Sequence, residues 1–144
     1  MKRRVLFLCT GNSVRSQMAA GLANHDFAGA IAAFSAGTHP VGVNPFAIEV
    51  MAEAGIDISS ESSDHLSRYE GEQFDYVITL CDDAHERCPV FFGGVKHRHL
   101  GFPDPARSAG SREQQLEHFH RVRDDIRARL RELFTAELGL EAKD

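Results

Sequence analysis

Short apolar runs alternate along the chain with stretches whose apolar residues recur every three or four positions. That alternation is the pattern of a βαβ architecture with a mainly parallel sheet. Val5-Leu6-Phe7-Leu8 predicts a first strand, which stops at Cys9-Thr10-Gly11-Asn12-Ser13. Met18, Ala19, Leu22 and Ala23 then share one face of a helix from about Ser16 to Asp26. Ile31 to Phe34 predicts a second strand, and Asn44-Pro45 the cap and first turn of a helix whose stripe of Ile48, Met51, Ala52 and Ile56 weakens at Gly55. Ser59 to Ser63 reads as a loop leading into a short helix from Asp64. The β-branched run Tyr76 to Leu80 predicts a third strand ending at Cys81, after which Asp82 and Asp83 open a short helix that Pro89 closes. A weaker run from about His97 to Phe102 predicts the fourth strand, followed by the stiff loop Pro103-Asp104-Pro105. Ser111 with Gln114 forms a capping box, and Leu116, Phe119, Val122, Ile126, Leu130 and Leu133 make one stripe through Phe134, with a frayed tail after Thr135. The expected fold is α/β: one three-layer domain with a four-stranded parallel sheet in the order 2-1-3-4 and helices on both faces.

Composition narrows the classes of function. A chain of 144 residues, 42% of them apolar, suits one domain whose core needs neither disulfide nor structural metal. Its net charge of −5 and lack of a basic run argue against nucleic-acid and anionic-membrane partners. The apolar stretch Val5 to Cys9 is too short for a signal core or a membrane span, so a cytoplasmic, untargeted protein is expected. The expected oligomeric state is a monomer. In a reducing compartment three unevenly spaced cysteines point to chemistry rather than to structural bridges.

An open parallel sheet binds its ligand beyond the carboxyl ends of the strands. Cys9 follows the first strand, Cys81 the third and Asp104 the fourth, and in the order 2-1-3-4 the first and third strands are neighbours. The segment Cys9-Thr10-Gly11-Asn12-Ser13-Val14-Arg15-Ser16 joins a strand to a helix. Such a loop turns its backbone N–H groups inward as a nest at a helix start, which suits a tetrahedral oxyanion. Arg15 can close the site with a bidentate fork, and the same donors with the Ser16 hydroxyl favour a thiolate at Cys9. The plainer alternative makes Cys9 one more buried small residue. Asp104 is either a turn residue beside proline or a general acid.

These residues match the Cys-x5-Arg-Ser/Thr loop of the low-molecular-weight protein tyrosine phosphatase family, and the chain resembles the thioredoxin-coupled arsenate reductases within it. The resemblance extends through Ser-Ala-Gly at 35–37, Val-Asn-Pro at 43–45, Ile-Asp-Ile-Ser at 56–59, Thr-Leu-Cys-Asp at 79–82, Cys-Pro at 88–89, Asp-Pro at 104–105 and Arg-Val-Arg-Asp at 121–124. It implies arsenate as substrate, Cys9 as nucleophile, Asp104 as general acid and thioredoxin as reductant, with no tightly bound cofactor. Cys81 would attack Cys9 as arsenite leaves, and Cys88 would then take over the disulfide. If residues 82–88 are helical, the step from Cys81 to Cys88 spans about 10 Å, beyond the roughly 7 Å that a disulfide tolerates, so the segment must unwind on oxidation. Packing roles for Cys81 and Cys88, or zinc ligation with His85, are the alternatives, the spacing being wide for zinc.

The chain also departs from its relatives. Val14 stands where several reductases carry another cysteine. Members that bind potassium use groups corresponding to Asn12, Ser35 and Asp64 plus a glutamate where this chain has Ala20, which weakens the case for the ion. Asp104-Pro105 is followed by Ala106-Arg107-Ser108, whereas tyrosine phosphatases of the family carry ring-gripping aromatic residues there. A phosphatase and a non-catalytic oxyanion or redox sensor are the rival functions. The histidine pairs His97/His99 and His118/His120 read as surface or packing residues, and the arginines from Arg121 to Arg131 as the solvated side of the last helix.

Overall fold

The computed structural model describes residues 2–82, 91 and 93–143. Four strands, β1 (Arg3–Leu8), β2 (Ile31–Ala36), β3 (Phe74–Thr79) and β4 (Gly94–His99), form a parallel sheet in the order β2-β1-β3-β4. Among the described residues three helices, α1 (Arg15–Asp26), α2 (Pro45–Glu53) and α3 (Arg112–Leu138), accompany it. The α/β architecture and strand order are those the hydrophobic pattern predicts. β1 is central, with Phe7 opposite Ser35 on β2 and Ile78 on β3.

Alternation along β1 divides the core in two. Val5 and Phe7, with Tyr76 and Ile78, face the apolar residues of α1, α2 and α3. Leu6 and Leu8 point the other way into a smaller cluster with Val77, Phe74, Tyr69 and Phe91. The short helix expected from Asp64 is a 3-10 turn, Leu66–Tyr69, which brings Tyr69 onto this second face. It is tied to the end of β2 by the parallel bridge between Gly37 and His65.

Three expectations are corrected. The fourth strand lies earlier than His97 to Phe102, because the polar residues Lys96, His97 and Arg98 pair with β3, while Leu100 and Phe102 lie beyond the strand and are buried in the core. The tail after Thr135 does not fray: α3 runs to Leu138, Gly139 closes it at φ 65°, and Leu140 and Ala142 pack on the core while the Lys143 amide donates to the Asp26 carbonyl at 2.7 Å. The arginines of α3 are not all solvated. Arg127 and Arg131 turn inward to the carboxylate of Asp26, which is 1% exposed at the end of α1. The short helix expected between Asp82 and Pro89, and with it Cys88 and the unwinding argument, falls outside the described residues.

Candidate active site

Cys9 is the first residue past β1. Its amide donates to the Ala36 carbonyl at 3.3 Å, and the Leu80 amide donates to the Leu8 carbonyl at 2.9 Å, so the chain leaves the sheet at Cys9 with both neighbouring strands still attached. Cys81 follows Leu80 directly, which brings the two cysteines out of adjacent strands at one sheet edge. Cys9 is a free thiol, 2% exposed, whereas Cys81 is fully buried and disulfide-bonded.

The loop from Cys9 to α1 turns at Asn12, whose φ of 44° is the left-handed conformation that lets successive N–H groups converge. Asparagine tolerates it because its side chain is used locally: Oδ1 accepts the Asp64 amide at 2.7 Å and Nδ2 donates to the Ser16 hydroxyl at 2.8 Å. Ser16 in turn lies with Oγ 2.9 Å from the Cys9 sulfur, and with that sulfur as thiolate the hydroxyl donates to it. Val14, at the cap of α1, offers no side-chain acceptor, so the first-turn amides face the loop interior without competition from their own cap.

Arg15 is 3% exposed on the first turn of α1. Its Nη1 donates to the Phe102 carbonyl at 3.1 Å, and Nη2 stands 3.8 Å from Oδ2 of Asp104. The other oxygen of Asp104 accepts the Ala106 amide at 3.0 Å and caps the turn Pro105–Arg107. Asp104 is thus a turn residue, and the turn brings its carboxyl to the guanidinium. Thr10, Gly11 and Ser13 complete the loop wall between Cys9 and Arg15.

Sequence reasoning passed over the residues that press this loop into shape. A Cβ at Gly37 would stand 2.6 Å from the Cys9 carbonyl and 2.9 Å from the Asn12 nitrogen, so only glycine fits just past β2, against the loop backbone. Gln17 and Ser63 both donate to loop carbonyls. The signal for Gly37 was present in Ser-Ala-Gly at the end of a strand; Ser63 carried none, because its partners lie about fifty positions away.

The sequence profile of the family described as low molecular weight phosphotyrosine protein phosphatase matches residues 4–143. The chain belongs to this family. Among relatives of this low-molecular-weight phosphatase family member, an arsenate reductase of Bacillus subtilis is 46% identical over 135 residues, covering 94% of this chain and 96% of its own. A structure of an arsenate reductase in the phosphate binding state superposes with a TM-score of 0.77 at 34% identity, covering 93% of this chain and 98% of that one. The thioredoxin-dependent arsenate reductase of Corynebacterium glutamicum superposes with a TM-score of 0.66 at 29% identity, over 96% of this chain and 64% of its own.

Of the groups expected to hold a potassium ion, Asn12 and Asp64 are engaged within the protein. Ser35, Asp64 and Ala20 line a cavity of about 510 Å³ on the outer side of the loop. Oδ2 of Asp64 already receives the Arg68 guanidinium at 2.7 Å and the Ser62 hydroxyl at 2.8 Å, and Asn12 engages both ends of its amide. The Arg68 guanidinium thus already sits on the one carboxylate of the set. Among the described residues no helix is long and apolar enough to cross a membrane.

Proposed function

We propose that the protein is an arsenate reductase working through a thiol relay with thioredoxin as reductant. Arsenate enters the loop between Cys9 and Arg15, held by the loop amides and the guanidinium fork. The Cys9 thiolate attacks arsenic, and Asp104 gives its proton to the departing oxygen, which leaves as water. Cys81, as thiolate, then attacks the Cys9 sulfur. A Cys9–Cys81 disulfide forms, the sulfur–arsenic bond breaks with its electron pair moving to arsenic, and arsenic falls from the +5 to the +3 state as arsenite. Attack of Cys88 on Cys81 returns Cys9 as thiolate and leaves a disulfide for thioredoxin to reduce.

The observation that carries this reading is the pairing of states at the sheet edge, where Cys9 is free within the loop and the adjacent Cys81 is disulfide-bonded. Hydrolysis of a phosphate ester would use Cys9, Arg15 and Asp104 and leave Cys81 without a task. The relatives support the same direction, one being thioredoxin-dependent by name.

The test is NADPH oxidation with arsenate, thioredoxin and thioredoxin reductase, comparing the parent with Cys9→Ser, Cys81→Ser and Cys88→Ser. Turnover in the parent and failure in each variant is the expected result, and it excludes a sensor as the whole account. Absence of arsenate-dependent oxidation together with Cys9-dependent hydrolysis of an aryl phosphate would replace this reading with the phosphatase one.

A further inference from the structure

Every carbonyl from Thr10 to Ser13 is held from outside the loop. The His39 amide donates to the Thr10 carbonyl at 2.9 Å, the Val41 amide to that of Gly11 at 3.1 Å, and the Asn44 amide to that of Ser13 at 3.0 Å. These three donors belong to one strap, residues 38–44, that runs alongside the loop. Asn12 is passed over by the strap, and its carbonyl is taken by side chains instead: Ser63 Oγ at 2.9 Å and Gln17 Nε2 at 3.1 Å. The same Ser63 hydroxyl lies 3.2 Å from the Gly11 carbonyl.

In a trans, planar peptide the C=O and the following N–H point in opposite directions. Pulling the Gly11 and Asn12 carbonyls outward therefore drives the N–H groups of Asn12 and Ser13 inward. These two peptides flank the left-handed residue, and a flip of either would present a carbonyl to an anion in place of an N–H. Ser63 is half-buried, and its segment is itself anchored, since the Asp64 amide donates to Asn12 Oδ1 and the Ser62 carbonyl accepts from Gln17 at 2.8 Å.

We propose that Ser63 is a positioning residue for oxyanion binding, its hydroxyl fixing the Gly11–Asn12 and Asn12–Ser13 peptides with their N–H groups toward the substrate. The proposal rests on reading the loop as an oxyanion cradle, and extends that reading to a residue on a distant segment. It is independent of which oxyanion is turned over. Ser62, its neighbour, is the internal control: that hydroxyl bonds Asp64 and touches no loop carbonyl among the described contacts.

The experiment uses the full chain with its thiols reduced and inorganic phosphate as the probe. Calorimetric phosphate binding, arsenate KM and kcat, and thermal midpoint are measured for the parent, Ser63→Ala, Ser63→Thr and Ser62→Ala. Loss of the bonds to two carbonyls is expected to weaken phosphate binding roughly tenfold in Ser63→Ala and to raise KM in proportion, with kcat within about threefold of the parent. Ser63→Thr restores binding, and Ser62→Ala binds as the parent does. Phosphate binding by Ser63→Ala as tight as the parent's would overturn the proposal. So would an equal loss in Ser62→Ala, or a Ser63→Thr variant that folds and binds no better than Ser63→Ala. If the parent binds phosphate yet reduces no arsenate, the proposed reaction fails while the role of Ser63 is still decided by the phosphate series.

Discussion

Asp26 offers a quantitative check on how α1, the helix that carries Arg15 and Ser16, is locked in place. Its carboxylate receives Arg127 through both Nε at 2.8 Å and Nη2 at 2.6 Å, with Arg131 Nε at 3.1 Å and His25 Nδ1 at 3.0 Å. Burial alone would push the carboxyl up, but the hydrogen bonds from Arg127, His25 and Arg131 win and hold it near 2, down from 3.8. The folded state therefore releases this proton more readily than the unfolded chain does. Its contribution is fully present above about pH 5 and drains away as the pH falls through 3.8 toward 2. The shift corresponds to about 2 kcal/mol at neutral pH, of which about half is gone by pH 3. Asp26→Asn keeps the shape and removes the charge. Arg127 and Arg131 are 24% and 38% exposed and can turn to water, so the loss stays near that 2 kcal/mol rather than the larger penalty of a stranded buried charge. In a chain of this length that lowers the thermal midpoint by about 7 °C. Urea unfolding of parent and variant at pH 7 and pH 3 is the assay, and the gap between them is expected to shrink by about half. A gap that is unchanged or wider at pH 3 would refute the reasoning.

Other substitutions probe the site directly. Gly37→Ala sets a methyl against the backbone of Cys9, Thr10 and Asn12, which cannot yield as a side-chain tip would, so phosphate binding by calorimetry is expected to fall at least tenfold, roughly, with a lowered thermal midpoint. Ser16→Ala removes the hydroxyl beside the Cys9 sulfur and strands Asn12 Nδ2, and should slow iodoacetamide alkylation of Cys9 at neutral pH by roughly tenfold. Asp104→Asn removes the proposed proton donor while keeping the turn cap, so single-turnover consumption of arsenate should slow by about a hundredfold or more with phosphate binding retained.

Strand order, the loop and the exit of Cys9 and Cys81 from adjacent strands were legible because they depend on local pattern: a strand that ends, a nest-forming loop, an arginine at a helix start. The arrangement around them was not. Ser63 reaches Asn12 across 51 positions and Arg127 reaches Asp26 across 101, and no periodicity encodes such pairs. His120 likewise meets Glu53 of α2, a carboxylate that spacing along α3 cannot reveal. The misplaced fourth strand has the opposite cause. An edge strand of Lys96, His97 and Arg98 looks polar, and the apolar residues that drew attention, Leu100 and Phe102, serve the core after the strand has ended.

The surface beside Asp104 offers a test of how the site would treat an aryl ester against a small tetrahedral oxyanion. Ala106 is exposed next to Asp104, beside a cavity of about 210 Å³ that Asn44, Pro45, Phe46, Gln115 and Phe119 complete. The aromatic groups there are already committed: Phe46 packs edge-on against Phe119 at 5.4 Å, and the Arg112 guanidinium lies 5.6 Å from the Phe46 ring centre. Arsenate needs no grip beyond the loop and Arg15, whereas a phenyl ester leaves its ring over this uncommitted opening. Ala106→Tyr supplies a ring at the exposed position without touching Cys9, Arg15 or the Asp104 cap, which binds the Ala106 backbone. One stacked aromatic pair contributes about 1 kcal/mol, so kcat/KM for p-nitrophenyl phosphate is expected to rise roughly fivefold to tenfold. Arsenate turnover with thioredoxin should stay within about twofold, since no loop contact changes. Unchanged aryl phosphate hydrolysis in a folded Ala106→Tyr variant would show that the open mouth is not what limits the phosphatase reaction.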